Sequence, residues 1–340
     1  QIADPDFAAK ARAGATDEIR LCLSCNQECV GRMGLNRWLG CIENPRTGRE
    51  HEWAVDNHVA LTAKPKDVMV VGGGPAGLQA AIAAARNGHR VTVYEKDDKV
   101  GGQVRLAASV PNRAEFGDMI RNQINECRRL GVEIVTGTGV WPGFVDEKKP
   151  DHVIVATGAE PQRPWWVADP DHDESARRVV DVRAILDGSA PLGGPQSGES
   201  VVVVDEIGFH HATSVAELLA DRGCHVEITT PGMVVGQDLG ITLDMENWWI
   251  RAGAKGIVQS TDLVPMGFAN GELTLLHHPT GVNQSRRPDW VVLAVPPNPV
   301  EWLYNDLKGA GWSVERVGDC VAPRRAHAAV VDGERAGSSL

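Results

Sequence analysis

The chain has 340 residues, 42% of them hydrophobic and 23% charged, with 37 Gly and 20 Pro. That is globular composition at the length of two or three domains, enough to bury sizeable cores without disulfide staples. A formal charge of −11 argues against non-specific nucleic-acid binding, which runs on Lys and Arg against phosphate. No apolar run approaches the ~18 residues that span a bilayer, and no basic-then-apolar leader opens the chain, so a cytoplasmic protein without a membrane span is expected.

In chain order, residues 1–20 are polar and Ala-rich, with a short helical look. A loop-rich segment follows, carrying Cys22, Cys25, Cys29 and Cys41 and broken by Gly31, Gly34, Gly40 and Gly48. Residues 51–65 read as a linker. Asp67–Val71 then suits a buried parallel strand, Pro75–Asn87 a helix stopped by Gly88, and Arg90–Glu95 a second strand. A longer helix is expected over Ala114–Leu130, and strands over Val132–Val135 and His152–Ala156. A turn-rich stretch from Pro161 to Glu199 precedes a second such unit: strand Val201–Val204, helix Ala212–Arg222 and strand His225–Thr229. Leu273–His277 and Trp290–Val295 are further strands, and a last helix starts near Arg325. The two strand–loop–helix–strand units are crude copies of each other.

Four of the seven cysteines crowd into twenty residues with spacing C-x2-C-x3-C-x11-C. A secreted disulfide framework would spread them, so the pattern reads as a metal site in a reduced compartment. Three thiolates within eight residues can wrap one corner of an iron–sulfur cluster, and the fourth closes it from another loop. Zinc also takes four thiolates, although its sites more often pair two C-x2-C knuckles.

Gly72, Gly74 and Gly77 satisfy G-x-G-x-x-G in the context the motif needs, after a strand and opening a helix at Pro75-Ala76. Gly72 allows the tight turn, Gly74 lets backbone N–H groups approach a pyrophosphate, and Gly77 lets helix and strand pack closely. Glu95 ends the next strand where a ribose would lie, with Lys96 beside it. Three further pieces favour FAD over NAD: Gly101-Gly102-Gln103, then Thr157-Gly158 at a strand end, then Gly318-Asp319 before the last helix. An Asp there can take hydrogen bonds from ribityl hydroxyls, and the helix N-terminus can face the flavin.

The second unit carries a damaged fingerprint, Asp205-Glu206-Ile207-Gly208. One glycine and two carboxylates stand where a pyrophosphate wants bare N–H groups, so the unit is expected to keep its fold and lose NAD(P)H. Thr229-Thr230 offers neither a ribose carboxylate nor an Arg for a 2′-phosphate. His210-His211 reads as packing or capping at a loop–helix junction rather than as a metal or proton-transfer site. Trp165-Trp166 and Trp248-Trp249 read as core rather than relay. Arg324-Arg325 can attract a nucleotide phosphate but has little specificity.

Taken together, the four cysteines, "GGGPAGLQAA" with Glu95, "GGQVRLAASVPNRAEF", "VIVATGAEPQRP" and "GDCVAPR" resemble the C-terminal half of the trimethylamine dehydrogenase and 2,4-dienoyl-CoA reductase family. These are iron–sulfur flavoproteins related to old yellow enzyme. The resemblance covers nearly the whole chain. It implies an α/β fold: a loop-rich cluster segment over 1–65, a doubly wound FAD-binding domain over 66–160 and 291–340, and a similar NAD(P)-like insertion over 161–290. It implies a 4Fe–4S cluster on Cys22, Cys25, Cys29 and Cys41, and FAD, or alternatively ADP as in the trimethylamine-type members, in the first nucleotide site. The family's TIM barrel, which carries FMN and the substrate pocket, is expected on a separate polypeptide or on the remainder of a longer chain. The expected activity is an electron-transferring module of a dehydrogenase, delivering to a protein acceptor such as an electron-transfer flavoprotein. The alternative is an NAD(P)H-fed reductase module acting on activated C=C bonds. No catalytic residue is assigned, because the family's substrate-reacting residues lie in the barrel.

Overall fold

The computed structural model describes residues 1–53, 64–192 and 198–340. Most of the expected linker over 51–65, and part of the turn-rich stretch before Glu199, lie outside them. The chain divides into two compact units. One comprises Gln1–Ala108, Ala114–Glu160 and Asn298–Leu340, and the other Ser109–Arg113 with Pro161–Pro297. The cysteine-bearing segment is part of the first unit.

A five-stranded parallel sheet organises the first unit, in the order Val314–Arg316, His152–Val155, Asp67–Val71, Arg90–Tyr94, Glu133–Val135. Its central strand is buried on both faces, which is why it reads as a continuous apolar run. Side-chain alternation sends Val68 and Val70 into one layer with the helices Pro75–Arg86, Gly117–Arg129 and Ala326–Ser338. Met69 and Val71 go into the opposite layer with Val145, Leu303 and Leu307. Small residues let the first and last of those three helices touch: a Cβ on Gly333 would stand 2.2 Å from the Ala76 carbonyl oxygen, and one on Gly337 2.3 Å from that of Ala80.

The second unit repeats the plan. Its parallel sheet runs Val179–Asp181, Trp290–Ala294, Ser200–Asp205, His225–Thr229, Val258–Ser260. Counted along the chain from the loop-bearing strand, four adjacent strands of each sheet run fourth, first, second, third, and the outer strand beside the fourth is the last in the chain in the first unit and the earliest in the second. Between third and fourth, the first unit has the helix Pro142–Lys148 and the second an antiparallel sheet of Leu263–Ala269, Glu272–His277 and Val282–Arg286. The sequence-based boundary at 290/291 is corrected here. Trp290–Ala294 pairs in register with Ser200–Asp205, so the chain returns to the first unit only at Asn298.

Candidate functional site: a nucleotide loop and a cysteine loop

Gly72 has φ 107°, and a Cβ there would lie 2.3 Å from the Ala156 carbonyl oxygen. A Cβ on Gly77 would lie 2.0 Å from the Gly72 carbonyl oxygen. Both positions are closed to any side chain by backbone. Gly74 differs, because a Cβ there meets no atom within 4 Å. The loop is therefore tight behind and open in front, and the open side is the N-terminus of a twelve-residue helix whose first residue is Pro75.

Contacts draw the other expected residues around this opening. Glu95, 6% exposed, accepts hydrogen bonds from the Gly73 N–H at 2.8 Å and the Asp97 N–H at 3.0 Å, so it holds the glycine loop as well as ending its strand. Lys96 is exposed beside it. Gly102 approaches Gly74, its Cβ position lying 3.4 Å from the Gly74 Cα. The Gln103 side chain donates to Asp319 Oδ2 at 3.3 Å, and Asp319 Oδ1 accepts from the Arg324 N–H at 3.1 Å. Gly318 packs on Ala76, where a Cβ would come within 2.7 Å of the Ala76 methyl. Thr157 Oγ1 donates to the Val300 carbonyl at 2.5 Å and lies 3.3 Å from Cys320 Sγ, while the Gly158 carbonyl accepts from the Val300 N–H. Its hydroxyl is thus engaged within the protein.

The four early cysteines lie on one segment, with the short helix Val30–Gly34 between Cys29 and Cys41. Cys22 is exposed, and Cys25, Cys29 and Cys41 are half-buried. Burial pushes the Cys25 thiol up to about 12, with the charges of Cys41, Cys29 and Cys22 adding to the shift. Burial also raises Cys41, and Glu43 and Cys22 contribute. The sulfurs feel one another, yet among the described residues no three His, Cys, Asp or Glu side chains form a metal-holding group. The expected convergence of Cys22, Cys25, Cys29 and Cys41 is therefore not seen. The physical reason is that bonds to a metal are what hold four thiolates together against repulsion and hydration. The backbone is nonetheless bent for wrapping: Ser24 and Asn26 both take positive φ, 52° and 53°.

Buried polar residues that the sequence reading missed tie this loop down. The Asn122 side chain donates to Glu43 Oε2 at 3.0 Å, and Arg20 donates to the Glu43 carbonyl at 2.8 Å. Glu334, fully buried, accepts from Arg46 and from Gln79, each at 2.6 Å. The only sequence signal was an acidic residue on an otherwise small-residue helix face.

In the second unit the loop is closed from within. Asp205 is fully buried and accepts from the N–H groups of Gly208 at 2.8 Å, Ile207 at 3.2 Å and Gly236 at 3.2 Å. Desolvation pushes its carboxyl up despite these donors, and burial together with the Asp205 charge raises Glu206. His210 opens the following helix with Nε2 2.8 Å from Arg113 and 3.3 Å from Asp244. The tryptophan pairs split: Trp166 and Trp248 are core, whereas Trp165 is 78% exposed and Trp249 46% exposed, so the core reading fails for one member of each. Arg324 pairs with Asp332.

Residues 66–231 match the family described as pyridine nucleotide-disulphide oxidoreductase. The N,N-dimethylglycine/sarcosine dehydrogenase of Chromohalobacter salexigens is 33% identical, the match covering 98% of this chain and 52% of that protein. The NADH oxidase of Thermoanaerobacter brockii is also 33% identical, over 94% of this chain and 47% of that one. The solved histamine dehydrogenase of Rhizobium sp. 4-9 superposes with a TM-score of 0.90 at 25% identity, covering all of this chain and 54% of that chain. The chain spans about half the length of the curated relatives it matches. Fold, nucleotide loop and relatives agree: this is an oxidoreductase chain of the trimethylamine dehydrogenase-type, old-yellow-enzyme-related flavoproteins, and it corresponds to their C-terminal half.

Proposed function

We propose that the chain is the electron-transferring module of a dehydrogenase. It would receive electrons from an FMN-bearing TIM-barrel domain or polypeptide and deliver them to a protein acceptor such as an electron-transfer flavoprotein. The observation that carries this reading is the contrast between the two loops. The first is open at Gly74 and ringed by Gly102, Gln103, Gly318 and Asp319, whereas the donors of the second are taken by Asp205. A nucleotide carrier has a place in the first unit, and NAD(P)H is opposed in the second.

In this reading Gly72, Gly74, Pro75, Ala76, Gly77, Glu95, Lys96, Gly102, Gln103, Thr157, Gly158, Gly318 and Asp319 hold FAD, with ADP as the alternative. Cys22, Cys25, Cys29 and Cys41 hold a 4Fe–4S cluster; their C-x2-C-x3-C-x11-C spacing and the positive φ of Ser24 and Asn26 between the first three support that donor set. When bound, the two groups supply two-electron and one-electron redox chemistry respectively. The protein's share would be to orient them: the helix N-terminus at Pro75 would take the phosphates, Glu95 fixes the glycine loop, and the Glu43 and Glu334 contacts tie the cysteine segment to its helices. The proposed organisation is a cluster segment over 1–65, an FAD domain, and an NAD(P)-like insertion, in a reducing, cytoplasmic compartment. No helix among the described residues is long and apolar enough to cross a membrane.

The deciding experiment identifies co-purifying iron, sulfide and nucleotide, then mixes the anaerobic protein with NADH and NADPH. Bleaching by electrons from a barrel partner's substrate, and none from either pyridine nucleotide, is the expected result. The similarity to an NADH oxidase favours the second reading, an NAD(P)H-fed reductase module. Direct, saturable bleaching by NADH would establish it in place of the first.

A further inference from the structure

A cavity of about 640 Å³ opens in the first unit, between the helix Gly117–Arg129 and the strand Glu133–Val135. Its wall includes the aliphatic side chains of Val100, Ile124 and Ile134, and three cations reach it: Lys99, Arg105 and Arg128. Among the described residues no carboxylate lines it. In a chain of net charge −11, three cations around one apolar cleft stand out. Among the described residues none of the three is ion-paired. Arg105 donates only to the Lys99 carbonyl, at 3.3 Å, and Arg128 to the Asn125 side chain, at 3.1 Å. Their charges remain available to a ligand.

The cavity is separate from the nucleotide loop. Val100 stands between them, with its side chain where a Cβ on Gly73 would come within 2.5 Å. Among the described residues the strand on its other wall is the last of its sheet, with no neighbouring strand on its outer side. A volume in the usual range for small-molecule sites, an aliphatic floor and a cationic rim select one ligand chemistry.

The geometry points to an accessory site for an organic anion, a carboxylate, phosphate or sulfonate carried on a compact apolar body. The apolar body displaces water from Val100, Ile124 and Ile134, and the anionic head pairs with Lys99, Arg105 and Arg128. Inorganic phosphate has the head without the body, and naphthalene the body without the head. Both bind weakly at a site of this kind.

The probe is 8-anilinonaphthalene-1-sulfonate, followed by its fluorescence on the purified chain. Saturable binding of about one equivalent is expected, displaced by octanoate and poorly by inorganic phosphate. The triple substitution K99Q/R105Q/R128Q should weaken it about tenfold or more, through loss of charge-assisted contacts. All three side chains are exposed, so the variant keeps its core, and unchanged circular dichroism checks this. Hydrogen exchange with and without probe localises the site, with protection expected over 117–136. Unchanged affinity in the triple variant, or protection confined to other segments, overturns the proposal.

Discussion

At Gly74 and Gly77 the same substitution should have opposite consequences. Gly77→Val drives a side chain into the Gly72 carbonyl, with its Cβ at 2.0 Å, and should destabilise the fold by ~3 kcal/mol or more. Gly74→Val meets open space, so it should melt normally and lose the adenine nucleotide. Thermal unfolding and nucleotide content of the two purified variants test this. A Gly74→Val protein with full nucleotide content would place the site elsewhere. A second residue-scale prediction concerns His327, 8% exposed, whose Nδ1 lies 3.3 Å from Glu28. Burial, then Arg49 and Arg32, hold its ring down to about 4. Glu28 opposes the shift but shares its charge with Arg32. Because the folded value lies below the unfolded 6.5, the unfolded chain takes up the proton first. Stability should therefore rise with pH between about 4 and 6.5 and level off above, a swing of about 3 kcal/mol from this group. Denaturant titrations of His327→Gln should show a flatter profile across that window, and an unchanged slope would remove His327 as the cause.

Helix-on-helix contact carries the next prediction. Gly333 and Gly337 are one turn apart and let two helix backbones meet at Ala76 and Ala80. Between them, Glu334 joins Gln79 on the partner helix to Arg46 in the cysteine segment. Glu334→Ala leaves the buried Gln79 amide without its acceptor and takes one carboxylate from the half-buried Arg46, and should cost about 1–3 kcal/mol. Protease accessibility of the cysteine segment should rise with it, and a stable, protected variant would show the link to be incidental. Here the limits of sequence reading have physical causes. Asp67–Val71, Pro75–Arg86 and Arg90–Tyr94 were legible because a doubly buried strand, a glycine turn and a helix stop each leave a local signature. The Met245–Ala254 helix was missed, and its Trp pair was read as one unit. Successive helical residues face different ways, so Trp248 is buried and Trp249 is not. Val282–Arg286, an exposed edge strand of polar residues, has no hydrophobic period to read. Glu334, Asn122 and Glu43 act through partners far away in the chain, which spacing cannot reveal.

At the scale of the whole molecule, one four-strand order is used twice, once with a loop open at Gly74 and once with a loop whose donors are taken by Asp205. The glycine pattern at 72–77 and the acidic pattern at 205–206 made that difference legible. What spacing did not reveal was that Asp205 points inward: the expectation was a carboxylate standing in the pyrophosphate's place, and the finding is occupation of the loop's donors. Units built on one plan but differently loaded should respond differently to ligand. ADP should protect amides around 72–77 from exchange and leave those around 205–212 unchanged. Equal protection of both loops would show the second to be a working site.

The Asp205 carboxylate is, in effect, a tethered competitor. Being part of the chain, it meets the N–H groups of Ile207, Gly208 and Gly236 at an effective concentration of order millimolar or above that does not fall when dissolved anions are removed. The second loop thus has its N–H donors held by its own carboxylate, and one substitution should release them. Asp205→Gly would hand three donors back to solvent at the head of a twelve-residue helix. Calorimetry should then find a weak, new affinity for ADP-ribose or sulfate that the parent chain lacks. Silence in that titration would mean the loop has lost the shape of a cradle as well as its vacancy.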